Sequence, residues 1–214
     1  MKPSKGKKRP RPTAIRERQG FTLMELVVAL AVIALLAGVT VPMLTRETDE
    51  ARIDRAKAEV EAIGMALRTF QSTLGSYPDM DATGSTGSLW VLFSGPSIPT
   101  SNPWSSSTGF WTWMSGGGGD LLDHHLFENA PGGQTANRYA TSSWQGPYLD
   151  PSTLDPWGRP YVVNVVAGWS SSTEKYRRLW VLSAGPDGAF QTSADAGLGD
   201  PVGGDDIGFL VQQR

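Results

Sequence analysis

Three groups of residues in this chain have the types and spacing to do chemistry. Glu25 is the single charge in an otherwise apolar run from Phe21 to Leu44, directly after a Gly20-Phe21 junction. A carboxylate in a membrane helix costs on the order of 2.5–3.5 kcal/mol near the centre, less towards an interface, and usually marks function and a partner. The second group is acidic and glycine-rich: Asp187, then Asp205 and Asp206, in AGPDGAFQTSADAGLGDPVGGDDIGFL. Calcium takes roughly 6–8 oxygens, which carboxylates and Gly-permitted carbonyl turns can supply. The same Asp and Gly residues also suit plain solvated turns. The third group is Asp123-His124-His125. Adjacent histidines point about 100° apart on a helix, and the chain has no third histidine to complete a site. A metal or catalytic role there is disfavoured. The absence of cysteine removes disulfides, Cys-ligated zinc and thiol nucleophiles. The sequence holds no G-x-S-x-G, P-loop, H-E-x-x-H or dinucleotide fingerprint. No credible catalytic constellation emerges, and the chain reads as a non-enzyme.

The elements that must position these groups begin with a basic leader. Residues 1–20 carry eight of the 19 Lys/Arg but only one of the 21 acids, Glu17, leaving 11 basic against 20 acidic residues in the remainder. A basic cluster can bind nucleic acid. Beside a membrane-length apolar run, the preference of Lys and Arg for the cytoplasmic side explains it more simply. The expectation is a cytoplasmic leader, a single pass through a membrane and an acidic non-cytoplasmic head. Phe21 to Leu44 spans about 36 Å as a helix at roughly 1.5 Å per residue, against a hydrocarbon core of about 30 Å. Pro42 is expected to kink that helix or to remove a hydrogen bond near its far end. From Thr45 the pattern becomes amphipathic. Ile53, Ala56, Val60, Ile63, Leu67, Phe70 and Leu74 recur three and four apart and predict one apolar seam, with charged residues on the other faces. The stem is expected to end at Gly75, with Pro78 beyond it.

Residues 75–214 read as a loop-rich head, with a long insertion at about 95–145. Leu89 to Phe93 suits a strand or a short helix, Gly109 to Met114 an aromatic strand, and Leu121 to Phe127 a helical turn or two. Trp104, Trp111 and Trp113 could stack on sugars, but packing and loop anchoring are the favoured reading. Asp155-Pro156-Trp157-Gly158 predicts a turn before a strand at Tyr161 to Val166. Arg177 to Ser183 predicts a strand antiparallel to it, and Ile207 to Val211 a final strand. The fold class expected is α+β, a long N-terminal helix packed on a small antiparallel sheet.

Gly20-Phe21-Thr22-Leu23-Met24-Glu25-Leu26, behind its basic leader, resembles the processing motif of type IV pilins and type II secretion pseudopilins. The downstream segments Gly75-Ser76-Tyr77-Pro78, Gly146-Pro147-Tyr148-Leu149, Asp155 to Tyr161, Ser183 to Gly188 and Asp205 to Gly208 resemble the major pseudopilin. That resemblance implies a prepilin peptidase that cuts after Gly20 and methylates the new Phe21 amine. It implies assembly through the helix into a periplasmic homopolymer, with Phe21, Glu25 and Pro42 as assembly residues. Lipid, other pseudopilins and an inner-membrane assembly platform are the implied partners, and the bacterial inner membrane the implied location. It also implies calcium, held by the Asp187, Asp205 and Asp206 carboxylates and the Ala184 carbonyl. The longer middle region and the expanded segment between Asp187 and Asp205 depart from the family pattern. A pilin of a type IV pilus and a signal-anchored enzyme are the alternative readings.

Overall fold

The computed structural model describes residues 20–105, 118–165, 178–192 and 201–213, and the side chains of all of these except 39–45, 178, 212 and 213. The chain divides into two compact units, residues 1–46 and 47–214. Helix α1, Leu23–Leu74, belongs to both.

In the first unit the described side chains of α1, apart from Glu25 and Arg46, are apolar on every face. Leu23, Leu26, Val27, Leu30, Ile33 and Leu36 are all more than half exposed. Such a helix has no polar side to give to water. The helix expected from Phe21 starts two residues later, because Thr22 serves as its cap.

In the second unit the seam predicted from spacing is the buried face of α1. Ala56, Val60, Ile63, Leu67 and Phe70 lie in the core, with Ile53 and Leu74 partly buried against it. Complete burial of side chains such as Leu67 and Phe70 stabilises by about 1.5–3 kcal/mol each. Gly75 follows with φ +84° and donates its N–H to the Gln71 carbonyl, which ends the helix where the glycine predicts.

The sheet contains β1 (Leu89–Phe93), β2 (Gly118–Leu121), β3 (Val162–Asn164), β4 (Arg178–Ser183) and β5 (Ile207–Gln213), in the order β2-β1-β3-β4-β5. It is mixed rather than purely antiparallel, since β1 and β2 run parallel. The expectation of an antiparallel sheet fails there because β1 and β2 are joined by a long insertion rather than by a hairpin turn. A parallel pair needs a connection of about a dozen residues or more, and the insertion provides it. The other pairs, β1·β3, β3·β4 and β4·β5, are antiparallel.

Both faces of this sheet are covered. Leu179 and Val181 join the core under α1, while Trp180 and Leu182 point to a second layer with Trp104 and Phe190. This strict alternation is the two-residue period of a strand. Trp104 stacks on Phe93 at 6.5 Å and meets Phe190 at 5.1 Å, so it packs rather than reads a ligand. Trp111, Trp113 and the expected strand 109–114 lie outside the described residues, as does the loop between β3 and β4.

A short helix α2, Leu122–Leu126, follows β2 directly, and a 3-10 turn spans Pro131–Gly133. Gly64 faces β5 closely. A Cβ at Gly64 would come within 2.2 Å of the Phe209 ring. Arg68, one turn further, lies over that ring at 5.0 Å and donates to the Leu210 and Val211 carbonyls, each at 3.1 Å. These carbonyls sit where the β4·β5 register shifts between Leu179 and Trp180, so Arg68 caps polar groups on an edge strand.

Candidate functional site

The amino-terminal site is built by the start of α1. Gly20, Phe21 and Thr22 precede the helix, and Phe21 is 84% exposed. The Thr22 hydroxyl accepts the Glu25 N–H at 3.2 Å, and the Thr22 carbonyl accepts the Leu26 N–H at 3.2 Å. Thr22 is therefore the N-cap and Glu25 the third residue of the first turn, where the N-terminal end of the helix dipole favours a carboxylate. The T-x-x-E spacing of a capping box announces this in the sequence, yet the apolar run draws the eye past it. Glu25 is exposed in the single chain. Pro42 lies inside α1, and its side chain is outside the described residues.

The acidic loop gathers Asp187, Asp205 and Asp206 around one turn, but largely through backbone donors. Asp205 Oδ2 accepts the Asp187 N–H at 3.1 Å. Asp187 accepts the Ala189 N–H at 2.7 Å and the Gln191 side-chain amide at 2.6 Å. Asp206 Oδ2 accepts the N–H groups of Gln191 and Thr192, at 3.0 and 2.6 Å. The Ala184 carbonyl accepts the Gly188 N–H at 3.2 Å. Asp206 Oδ1 differs from these, being buried with no hydrogen-bond partner. Burial, helped by the nearby Asp205 charge, pushes the Asp206 carboxyl above its ordinary range despite the Thr192 and Gln191 donors. In chemistry these oxygens suit a hard cation. In placement, no group of three or more His, Asp or Glu side chains converges as a metal cluster among the described residues. Gln191, which bridges two of the carboxylate systems, carries no signal in the sequence beyond its place in the loop.

The Asp-Pro-Trp-Gly turn holds that loop from beneath. Asp155 is buried and accepts N–H groups from Trp157 and Arg159, at 3.0 and 2.8 Å, and the Ser183 hydroxyl at 2.8 Å. The Ser183 oxygen accepts the Gly185 N–H, and the Arg159 guanidinium donates to the Gly185 carbonyl. Gly185 has φ +60°, and a Cβ there would strike the Asp205 carbonyl. Glycine is required at that position because two backbone segments touch.

A third polar centre appears where the sequence argues against one. Asp120, fully buried on β2, accepts from both histidines of α2, His124 Nδ1 at 2.6 Å and His125 Nε2 at 2.9 Å. It also accepts the Gly132 N–H at 2.6 Å. The two rings do diverge, but they straddle a single carboxylate that spacing along α2 cannot reveal. Burial would raise Asp120, yet the hydrogen bond and charge of His125, then Gly132 and His124, hold it down to about 2.

Comparison with known proteins bears on the first of these sites. Residues 15–41 match the model of the prokaryotic N-terminal methylation motif, which contains the capped helix start, Gly20-Phe21 and Glu25. The amino-terminal segment thus carries that methylation motif. The chain is also similar to type II secretion system core protein G of Pseudomonas aeruginosa, 33% identical over 63 residues, covering 29% of this chain and 44% of that protein. Core protein G of Klebsiella michiganensis is 27% identical over 84 residues, covering 39% and 56%. The chain thus spans about half the length of the curated relatives it matches. No solved structure matches significantly. The α+β architecture agrees with the pilin-like fold expected from the sequence.

Proposed function

We propose that this protein is a structural subunit of a type II secretion pseudopilus. In this reading it is cut after Gly20, methylated on Phe21 and polymerised through α1. The observation that carries the reading is the methylation motif seated on a helix start whose apolar side chains are uncovered on every face. A helix apolar all round needs lipid or copies of itself. Among the described residues no helix is long and apolar enough to cross a membrane, and the span proposed here, 21–44, runs through side chains outside that description. Cleavage would leave a cationic amine on Phe21, four residues before Glu25. Pairing that amine with Glu25 of a neighbouring subunit would offset the cost of burying either charge and fix the register between helices. A prepilin peptidase, other pseudopilins and an inner-membrane platform are the partners this requires, with the head in the periplasm.

The test is expression alongside a prepilin peptidase, followed by mass spectrometry of the amino terminus. N-methylated Phe21 is the expected terminus. A chain that keeps residues 1–20 under conditions where a known prepilin is processed would refute the reading.

Calcium at the acidic loop is a second proposal. Asp206 Oδ1 is the buried open donor that supports it, and Asp187, Asp205 and the Ala184 carbonyl would complete the oxygen set. Bound calcium would supply positive charge to a turn that otherwise buries like charges together. A calcium-dependent rise in the melting temperature of the head tests it, and no shift at millimolar calcium would refute it.

A further inference from the structure

The buried polar centre at Asp120 lies in the long middle region and includes none of the residues proposed for processing, assembly or calcium binding. We propose that Tyr139, His125 and Asp120 form an acid-sensitive lock that holds the segment from α2 to Tyr148 against the rest of the head. The proposal stands independently of the pseudopilin reading.

The lock has one consistent hydrogen-bond direction. His125 is completely buried, with Nε2 at 2.9 Å from Asp120 Oδ2 and Nδ1 at 2.8 Å from the Tyr139 hydroxyl. A carboxylate can only accept, so Nε2 carries the proton, and Nδ1 accepts the Tyr139 O–H. Neutral imidazole satisfies every partner. Imidazolium would aim a second N–H at the Tyr139 hydroxyl, and Tyr139 would have to turn its own proton away from the ring.

The lock joins four elements. Tyr139 exchanges hydrogen bonds with Asn129, which adopts φ +52°, and its ring meets Phe70 of α1 edge-on at 5.0 Å. Trp144 Nε1 donates to the His125 carbonyl, and the Tyr148 N–H to the Leu126 carbonyl. The ionisable groups that face His125 are Asp120 from β2, His124 from its own helix, Tyr139, and Asp79 from the segment after α1. Asp120 and Asp79 favour the imidazolium and His124 opposes it, while burial is the largest influence and holds the ring below its ordinary value. Tyr139 is pushed up, chiefly by burial, and keeps its proton.

A group whose folded value is lowered contributes stability that is present above its unfolded value and lost as pH falls. For histidine that loss begins below about pH 6.5, and for one proton taken up on opening, the opening equilibrium grows about tenfold per pH unit. Acid therefore releases the segment before Asp120, held near 2, can titrate.

The experiment is hydrogen exchange of the full-length protein in detergent micelles at about pH 7.5 and about pH 5, corrected for intrinsic rates. Peptides from 122–148 should lose about thirtyfold protection in acid, while β3 and β4 change little. Glutamine offers one donor and one acceptor but does not titrate, so His125→Gln should keep protection at the higher pH and lose the acid step. Should that variant fail to fold, histidine nitrogen NMR of the wild type decides, with His125 expected to remain a neutral Nε2–H tautomer below pH 6.5. An unchanged acid step in His125→Gln, a step abolished by His124→Gln instead, or a wild-type His125 already cationic at neutral pH would each overturn the lock.

Discussion

Removing Asp155 should cost the head more than any other single change in its turns. Its carboxylate serves three donors, the Trp157 and Arg159 N–H groups and the Ser183 hydroxyl. Arg159 Nε, itself buried, lies 3.9 Å from Asp155 Oδ2. A buried donor left unsatisfied costs about 1–3 kcal/mol. Ser183 is fully buried, while Trp157 and Arg159 are half-buried and can regain some water. Counting Ser183 towards the upper end and the two amides at the lower gives about 3–5 kcal/mol for Asp155→Ala. A domain of this size is stable by about 5–15 kcal/mol in total. Asp155→Asn keeps an oxygen for the two amides and should lose about 1–2 kcal/mol. Urea unfolding of a fragment beginning at Glu47 measures both. With a slope of about 2 kcal/mol per molar, the alanine variant should lose roughly 2 M from its midpoint and the asparagine variant less than 1 M. An alanine variant within 1 kcal/mol of wild type would refute the assignment of this turn as the support of the acidic loop.

Three further outcomes follow from other contacts. Gly64→Leu should destabilise the head by about 1–3 kcal/mol in the same assay, because the new side chain displaces the Phe209 ring on which Arg68 rests. Asp206 is raised by burial, so its contribution to stability is present at low pH and lost as pH rises through its folded value. Asp206→Asn should therefore melt higher than wild type in calcium-free buffer at neutral pH, and should no longer respond to calcium. Glu25→Gln and Thr22→Val should both be processed at Gly20. Only the Glu25 variant should fail to form filaments by electron microscopy and cross-linking.

How much of this was legible in the sequence depends on the range of the determining contacts. The α1 seam, its stop at Gly75 and strands β4 and β5 follow from period and punctuation within a few residues of one another. The parallel β1·β2 pair does not, because the pairing joins residues 28 or 29 apart across an insertion with no local signal of direction. Asp120 was hidden for a related reason. Its neighbours in sequence are glycines and leucines, and its value lies in Gly132, His125 and Tyr139, which only the fold brings near. The Asp-Pro-Trp-Gly turn was readable as a turn, but its grip on Ser183 was not.

Glu25 has two physical explanations, and the structure sharpens the difference between them. As the third residue of a Thr22-capped helix it is favoured by the helix dipole in a single chain, typically by about 0.3–1 kcal/mol. Such an effect concerns helix start alone and would be served nearly as well if the residue were never buried. Assembly asks more, because an apolar helix surrounded by lipid or by copies would enclose that carboxylate and require a cation beside it. Glutamine separates the two, since it lacks the charge while retaining helix propensity and much of the side chain's shape. Loss of filaments with an unchanged helix start would assign Glu25 to the neighbouring Phe21 amine. Retention of filaments would reduce it to a cap.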